Sequence, residues 1–190
     1  MNLISSVDND VRPVNRILAE APILYKDGIH VVLDREPIVR SHHLLVSRED
    51  AASLVDLATW SGVLPDIEKL ASALSIKNWA YFERGRAPFC TSMLAPTHAH
   101  AHLFDADELA PSVVKSLAAR ANAYEHKSFA EAAVSLSRCS TQYLLFGSMM
   151  DGWFAVNFPN PCFSEKRYLR RHLSENLRAG AANLQVNLAR

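Results

Sequence analysis

The chain lacks the features that mark several large classes of protein. Its 190 residues include only 3 Cys, 6 Gly and 9 Pro, a composition that indicates neither a disulfide scaffold nor a collagen-like or low-complexity chain. No apolar run approaches the roughly 18 residues of a membrane span, and the first residues lack the basic and apolar regions of a secretion signal. We therefore expect a cytoplasmic protein with no membrane partner.

An excess of one charge is also missing. Lys and Arg together number 20 and Asp and Glu together number 20, for a formal net charge of +0. Sequence-independent binding to duplex nucleic acid needs a basic field, so we expect no duplex nucleic-acid partner. Cys90, Cys139 and Cys162 are odd in number and far apart, which favours free thiols in a reducing compartment.

What remains is the composition of a compact domain, 49% hydrophobic and 21% charged. Apolar runs separated by turn residues predict strands, and a helical stripe over residues 54–74 predicts a helix that is broken near Gly62 and Pro65. Strands and helices do not alternate strictly, so the pattern predicts an α+β fold with an antiparallel sheet of about five strands, helices packed on it and a C-terminal extension. The strands are expected at residues 22–25, 29–33, 42–47, 79–82 and 98–104, and the extension at residues 140–190 contributes a strand hairpin and a helix.

The strongest functional signal is a strand in which histidine occupies alternate positions. Residues i, i+2 and i+4 of a strand project from one face, so His98, His100 and His102 should share a face. The small or apolar residues between them, Ala99 and Ala101, then face the other way, where a helix can pack closely.

Two chemistries use such a row. Two of the imidazoles, for instance His98 and His100, could bind zinc with a third ligand from a nearby acidic side chain. Alternatively, one imidazole could act as a nucleophile on phosphorus while its neighbours polarise the phosphate and protonate the leaving group. The residues alone leave both open.

The segment His98 to Phe104 resembles the signature of the histidine triad family of nucleotide hydrolases and transferases, in which three histidines alternate with apolar residues and two apolar residues follow. An aspartate eight residues before a histidine that opens a strand, as Asp34 precedes His42, is also typical of that family. With the segment Tyr81–Gly85 before the triad, the resemblance covers roughly residues 15–104. It implies a histidine-triad-like fold, with residues 1–139 as the nucleotide-binding catalytic domain.

The resemblance also implies roles for single residues. His100 would be the nucleophile that takes up the nucleotidyl group, His98 would orient it through a backbone carbonyl, and His102 with His42 would contact phosphate oxygens. Asp34 would accept hydrogen bonds from the ribose hydroxyls. Apolar side chains would clasp the base, and the residues at those positions are Ile23, Leu33 and Leu44. No metal or other cofactor is needed, and a homodimer is expected.

The sequence departs from the family pattern at several positions. Ser47 and Asp50 replace a proline and a histidine, Leu94–Ala95 replaces a Gln–Ser pair, and Arg84 stands where one subgroup has histidine. We expect Thr91 or Ser92 to supply the missing hydroxyl. Basic residues of the last predicted helix, above all Arg167 and Arg170, are expected to bind phosphate.

The leading hypothesis is therefore a nucleotide hydrolase or nucleotidyltransferase that cleaves a nucleotide conjugate or dinucleoside polyphosphate at the α-phosphorus through a covalent nucleotidyl-histidine. A nucleotide-binding regulatory module without turnover is the first alternative, because of the departures at Asp50 and Leu94–Ala95. A zinc hydrolase is the second.

Overall fold

The structure, a computed structural model, describes residues 24–26, 29–34, 37–47, 51–62, 64–86, 99–139, 141–157 and 168–177. These residues form a mixed α+β fold in which one antiparallel sheet carries helices on both faces. The strands are β1 (Leu24–Lys26), β2 (Ile29–Leu33), β3 (His43–Ser47), β4 (Trp79–Gly85), β5 (His100–Asp105), β6 (Tyr124–His126), β7 (Tyr143–Ser148) and β8 (Gly152–Asn157). The helices are α1 (Leu54–Ser61), α2 (Ile67–Ala73), α3 (Val113–Ala121), α4 (Phe129–Ser137) and α5 (Tyr168–Glu175).

The sheet is larger than the sequence predicted. Among the described residues it has eight strands, in the order β1-β2-β3-β5-β4-β7-β8-β6. The expected hairpin of the C-terminal segment does form, but its first strand, β7, pairs with β4 next to the histidine strand. Every residue of β7 is buried, because β7 lies between two other strands and is covered on both faces. The prediction of about five strands was therefore too low.

The expected break in the first helical stripe is confirmed. Gly62 ends α1 with φ 69°, in the left-handed region that glycine adopts without strain, and its N–H donates to the carbonyl of Ala58. The side chains of Ser53 and Asp66 cap the N-termini of α1 and α2. The chain thus forms two short helices on one side of the sheet.

The two faces of the sheet have different roles. One face packs against α1, α2 and α4, and it contains Ala99, Ala101 and Leu103 as expected from the alternation. The other face, here called the histidine face, carries His100 and His102. Its part over β4, β7 and β8 is covered by α3 and α5, which pack on Phe82 and Phe146.

None of the helices in the described residues is both long and apolar enough to cross a membrane.

Candidate active site

Between β2 and β3, the described residues 37–42 form a turn that brings His42 next to Asp34. The backbone N–H of Asp34 donates to the carbonyl of His42 at 3.1 Å, and the N–H of His42 donates to the carbonyl of Val39 at 3.2 Å. Ile38 and Val39 are buried in the core below the histidine face. Burial of these two side chains holds the turn, and the turn places the polar pair over the sheet.

Ser41 attaches this turn to the end of the histidine strand. Its hydroxyl accepts from the N–H of Asp105 at 2.7 Å and donates to a carboxylate oxygen of Glu108 at 2.8 Å. The Ser41 N–H donates to the same Glu108 oxygen at 3.1 Å. These three hydrogen bonds of Ser41 fix the position of the next residue, His42, relative to β5.

His42 and His102 form a directional hydrogen-bonded pair. The backbone N–H of Ile38 donates to His42 Nδ1 at 3.2 Å, so Nδ1 must be the unprotonated nitrogen and Nε2 must carry the hydrogen. His42 Nε2 lies 2.9 Å from His102 Nδ1. His42 therefore donates to His102, and neutral His102 keeps its own hydrogen on Nε2.

The pair is held in its neutral form. His42 is fully buried and stacks on Phe104 with ring centroids 4.4 Å apart. Burial, followed by the positive charge of Arg170, lowers the pKa of His42 to about 3. Burial and the neighbouring His42 hold the pKa of His102 well below its ordinary value. At neutral pH both rings are hydrogen-bonding groups without charge.

Asp34 joins this pair to the C-terminal helix. Its Oδ2 lies 3.4 Å from His42 Nε2 and accepts from Arg170 Nη2 at 2.7 Å. The Asp34 side chain is 9% exposed and that of Arg170 is 25% exposed. An ion pair between such enclosed groups is less screened by solvent than one on the surface.

Helix α5, which supplies Arg170, is anchored beside the site. Leu173 is buried in the core, and the N–H of Ala110 donates to the carbonyl of Asn176 at 2.7 Å. Leu109 and Leu177 form an isolated β-bridge just beyond the helix. These contacts explain how a residue 136 positions away in sequence reaches Asp34.

His100, the expected nucleophile, is partly exposed and lies with its ring centroid 5.6 Å from that of His102. It is paired with Val46 of β3, and His102 is paired with Leu44. Since directly opposed residues of an antiparallel pair project to the same face, both apolar side chains lie on the histidine face. Together with Val32 they form a small buried cluster beside the histidines.

The structure separates Leu33 from the expected apolar set. Leu33 is paired with His43, and the register puts both on the face opposite His102. Its side chain is 53% exposed. Leu44 lies on the histidine face, and so does Val32, one residue before Leu33. The alternation of β2, in which Val32 and Asp34 are two apart, is the signal that identifies Val32.

Of the predicted site residues, the structure brings together His42, His100, His102, Asp34, Leu44 and Arg170. Ile23, Thr91, Ser92, His98 and Arg167 lie outside the described residues. The sequence did not indicate the donor at Ile38, the ring of Phe104 under His42, or the contact of Ser41 with Glu108.

Within the described part of the chain, one set of side chains has the spacing of a metal site. Ligand atoms of Asp34, His42 and His102 lie within 4.8 Å of one another. The hydrogen bond from Ile38 argues against metal binding there, because it leaves the hydrogen of His42 on Nε2, the nitrogen that would have to ligate. The arrangement fits a hydrogen-bond relay better than a zinc centre.

Comparison with known proteins gives only remote likenesses. No family model and no curated protein matches the sequence. Among solved structures, the chain is similar to yeast Ap4A phosphorylase in complex with AMP, with 14% sequence identity and a TM-score of 0.37, over 80% of this chain and 70% of that one. A likeness this remote carries no argument about chemistry.

Proposed function

We propose that the histidine face is the active site of a nucleotide hydrolase or nucleotidyltransferase, which cleaves a nucleotide conjugate or dinucleoside polyphosphate at the α-phosphorus. The observation that supports this most strongly is the His42–His102 pair beside His100. The pair is neutral and directional, and it leaves a ring N–H of His102 next to a partly exposed imidazole.

In the first step, a ring nitrogen of His100 attacks the α-phosphorus. A P–N bond forms, the bond from phosphorus to the leaving group breaks, and the leaving group departs with the electron pair and takes up a proton from solvent. In the second step, the oxygen of water or of another acceptor attacks phosphorus, a proton carried by that oxygen passes to solvent, and the P–N bond breaks, which restores the imidazole. Water as acceptor gives hydrolysis, and phosphate or a sugar phosphate gives transfer.

The surrounding residues take supporting roles in this proposal. His102 donates its Nε2 hydrogen to an oxygen of the phosphate, where negative charge grows in the transition state. His42 keeps that hydrogen on Nε2 of His102 by donating its own hydrogen bond to His102 Nδ1. His98 orients His100, and Thr91 or Ser92 supplies a hydroxyl near the leaving group. Arg167 contacts the phosphate groups that lie beyond the α-phosphorus.

The base and ribose would bind on the β2–β3 side. Leu44, Val32 and Val46 form an apolar cluster on the histidine face, and Ile23 was expected to extend it. Asp34 accepts from the ribose hydroxyls while it shares its other oxygen, Oδ2, with Arg170. The proposal includes a homodimer in the cytoplasm, with no cofactor.

Steady-state turnover of a dinucleoside polyphosphate tests the proposal. The His100→Ala variant should lose about 10³-fold or more in kcat, because no other group replaces the nucleophile. His126→Ala is the matched control, because His126 lies on β6, at the far edge of the sheet. Full turnover by His100→Ala would contradict the mechanism.

A further inference from the structure

One oxygen atom links the C-terminal helix to the histidine pair. Asp34 Oδ2 accepts from Arg170 Nη2 at 2.7 Å and lies 3.4 Å from His42 Nε2. The same His42 nitrogen lies 2.9 Å from His102 Nδ1. The hydrogen on His42 Nε2 thus has two acceptors within reach, the imidazole nitrogen and the carboxylate.

These two acceptors are not equivalent. A carboxylate is the stronger acceptor, since hydrogen bonds to an ionised partner are roughly twice as strong as those between neutral groups. Without Arg170, the Asp34 carboxylate would compete more strongly with His102 for the His42 hydrogen. His102 Nδ1 would then lose its donor, and the hydrogen of His102 could move from Nε2 to Nδ1.

We propose that Arg170 is a positioning residue that engages Asp34 Oδ2 and so weakens it as an acceptor for the His42 hydrogen, so that His42 donates to His102 and His102 keeps its hydrogen on Nε2. The guanidinium partly neutralises the Asp34 carboxylate and occupies one lone pair of Oδ2, the oxygen that would otherwise compete for the His42 hydrogen. The role differs from the phosphate contact expected from the sequence, because the partner seen in the structure is Asp34.

The anchoring of α5 supports this role. The helix is anchored through Leu173, the Ala110–Asn176 hydrogen bond and the bridge to Leu109. Arg170 therefore reaches Asp34 from a helix that is packed on the core. The charge of Arg170 also contributes to lowering the pKa of both His42 and His102, after burial. The inference rests on the proposed function only in that a substrate phosphate would accept the hydrogen bond from His102 Nε2.

Nitrogen-15 NMR of histidine-labelled full-length protein reads the tautomers directly. In the wild type, His42 and His102 should each be protonated on Nε2 and not on Nδ1. In Arg170→Met we expect His102 to become a mixture of tautomers and kcat to fall about tenfold. Arg170→Lys, which keeps the charge, should retain most of the wild-type pattern. Arg171→Met, on the exposed side of the same helix, is the matched control.

A second variant separates positioning from a purely structural effect. Removing the competing carboxylate in Asp34→Ala/Arg170→Met should return His102 to the Nε2–H tautomer, although α5 still lacks its ion pair. Wild-type tautomers in Arg170→Met, or a mixture that Asp34→Ala does not correct, would overturn the inference. These spectra do not depend on turnover. A wild-type protein without activity would therefore contradict the proposed function, whereas the tautomers would still decide the role of Arg170.

Discussion

At the scale of single residues, the proposed site depends on two histidines that stay neutral. The unfolded chain takes up a proton on each histidine below pH about 6.5, whereas folded His42 does so only near pH 3. The unfolded state therefore binds more protons between these values, and the free energy of unfolding must fall as the pH falls from about 6.5 toward 3.

This gives a prediction for His42. Between pH 7.5 and 5, the titration of this one residue should lower the free energy of unfolding by about 2 kcal/mol. His42→Gln should show a pH dependence that is smaller by this amount in urea denaturation at the two pH values. His126→Gln serves as the control, and an unchanged pH dependence in His42→Gln would show that His42 is not held neutral by the fold.

The sequence shows why part of this site could be predicted and part could not. The alternation of His98, His100 and His102 places imidazoles on one face by strand geometry alone. The tautomer of His42 depends on a backbone N–H at Ile38, which has no side-chain signature. The partner of Asp34 depends on a helix 136 residues away, which no local pattern specifies.

At the scale of elements, the face opposite the histidines is held by a buried carboxylate on β4. Glu83 accepts from the hydroxyls of Tyr81 and Tyr143 at 2.8 and 2.7 Å, and from the N–H of Leu54 at 2.8 Å. Burial raises the pKa of Glu83. The network joins β4 to β7 and to the first turn of α1, so it fixes the strand that lies beside the histidine strand.

We expect Tyr143→Phe to destabilise the fold by about 1–3 kcal/mol, because it removes one donor from a buried carboxylate. Urea denaturation measures the change. Tyr124→Phe is the matched control, since the Tyr124 side chain is 75% exposed. Equal stability of the two variants would show that the Glu83 network does not hold the sheet.

The elements also show the limits of prediction from sequence. The break between α1 and α2 was predictable because Gly62 and Pro65 disrupt helix hydrogen bonding locally. Strand β6 was not, because its three residues lack alternation and two of them are exposed. The place of β7 beside β4 was not either, because strand order is decided by contacts far apart in sequence.

At the scale of the whole molecule, strands β7 and β8 of the C-terminal segment are part of the sheet. Strand β7 pairs with β4 through six residue pairs, from Ala80–Ser148 to Gly85–Tyr143. Deleting residues 140–190 should therefore unfold the protein, with loss of the cooperative transition in urea and of the native circular dichroism. Deleting only residues 168–190 removes α5 and leaves the sheet residues in place. The protein with this smaller deletion should therefore remain folded. A folded, cooperative product of the longer deletion would contradict this account.

Assembly is a second prediction at this scale. The resemblance to the histidine triad family predicts a homodimer, and light scattering at tens of micromolar should give twice the chain mass of 21.1 kDa. A mass near that of one chain, unchanged on dilution, would exclude the dimer.

Metal content separates the proposed chemistry from the zinc alternative. The tautomer of His42 predicts no stoichiometric zinc in the undialysed protein, which elemental analysis measures. Near-stoichiometric zinc, lost together with activity on chelation, would favour a zinc hydrolase instead.

Trapping of the covalent intermediate shows whether His100 is the nucleophile. Wild-type protein mixed with a dinucleoside polyphosphate labelled at the α-phosphorus and quenched in base should carry the label, release it in acid, and yield a modified peptide that contains His100. His100→Ala should carry none, and His126→Ala should carry as much as the wild type. Turnover by the wild type without any labelled protein during the reaction, or a label located away from His100, would contradict the account.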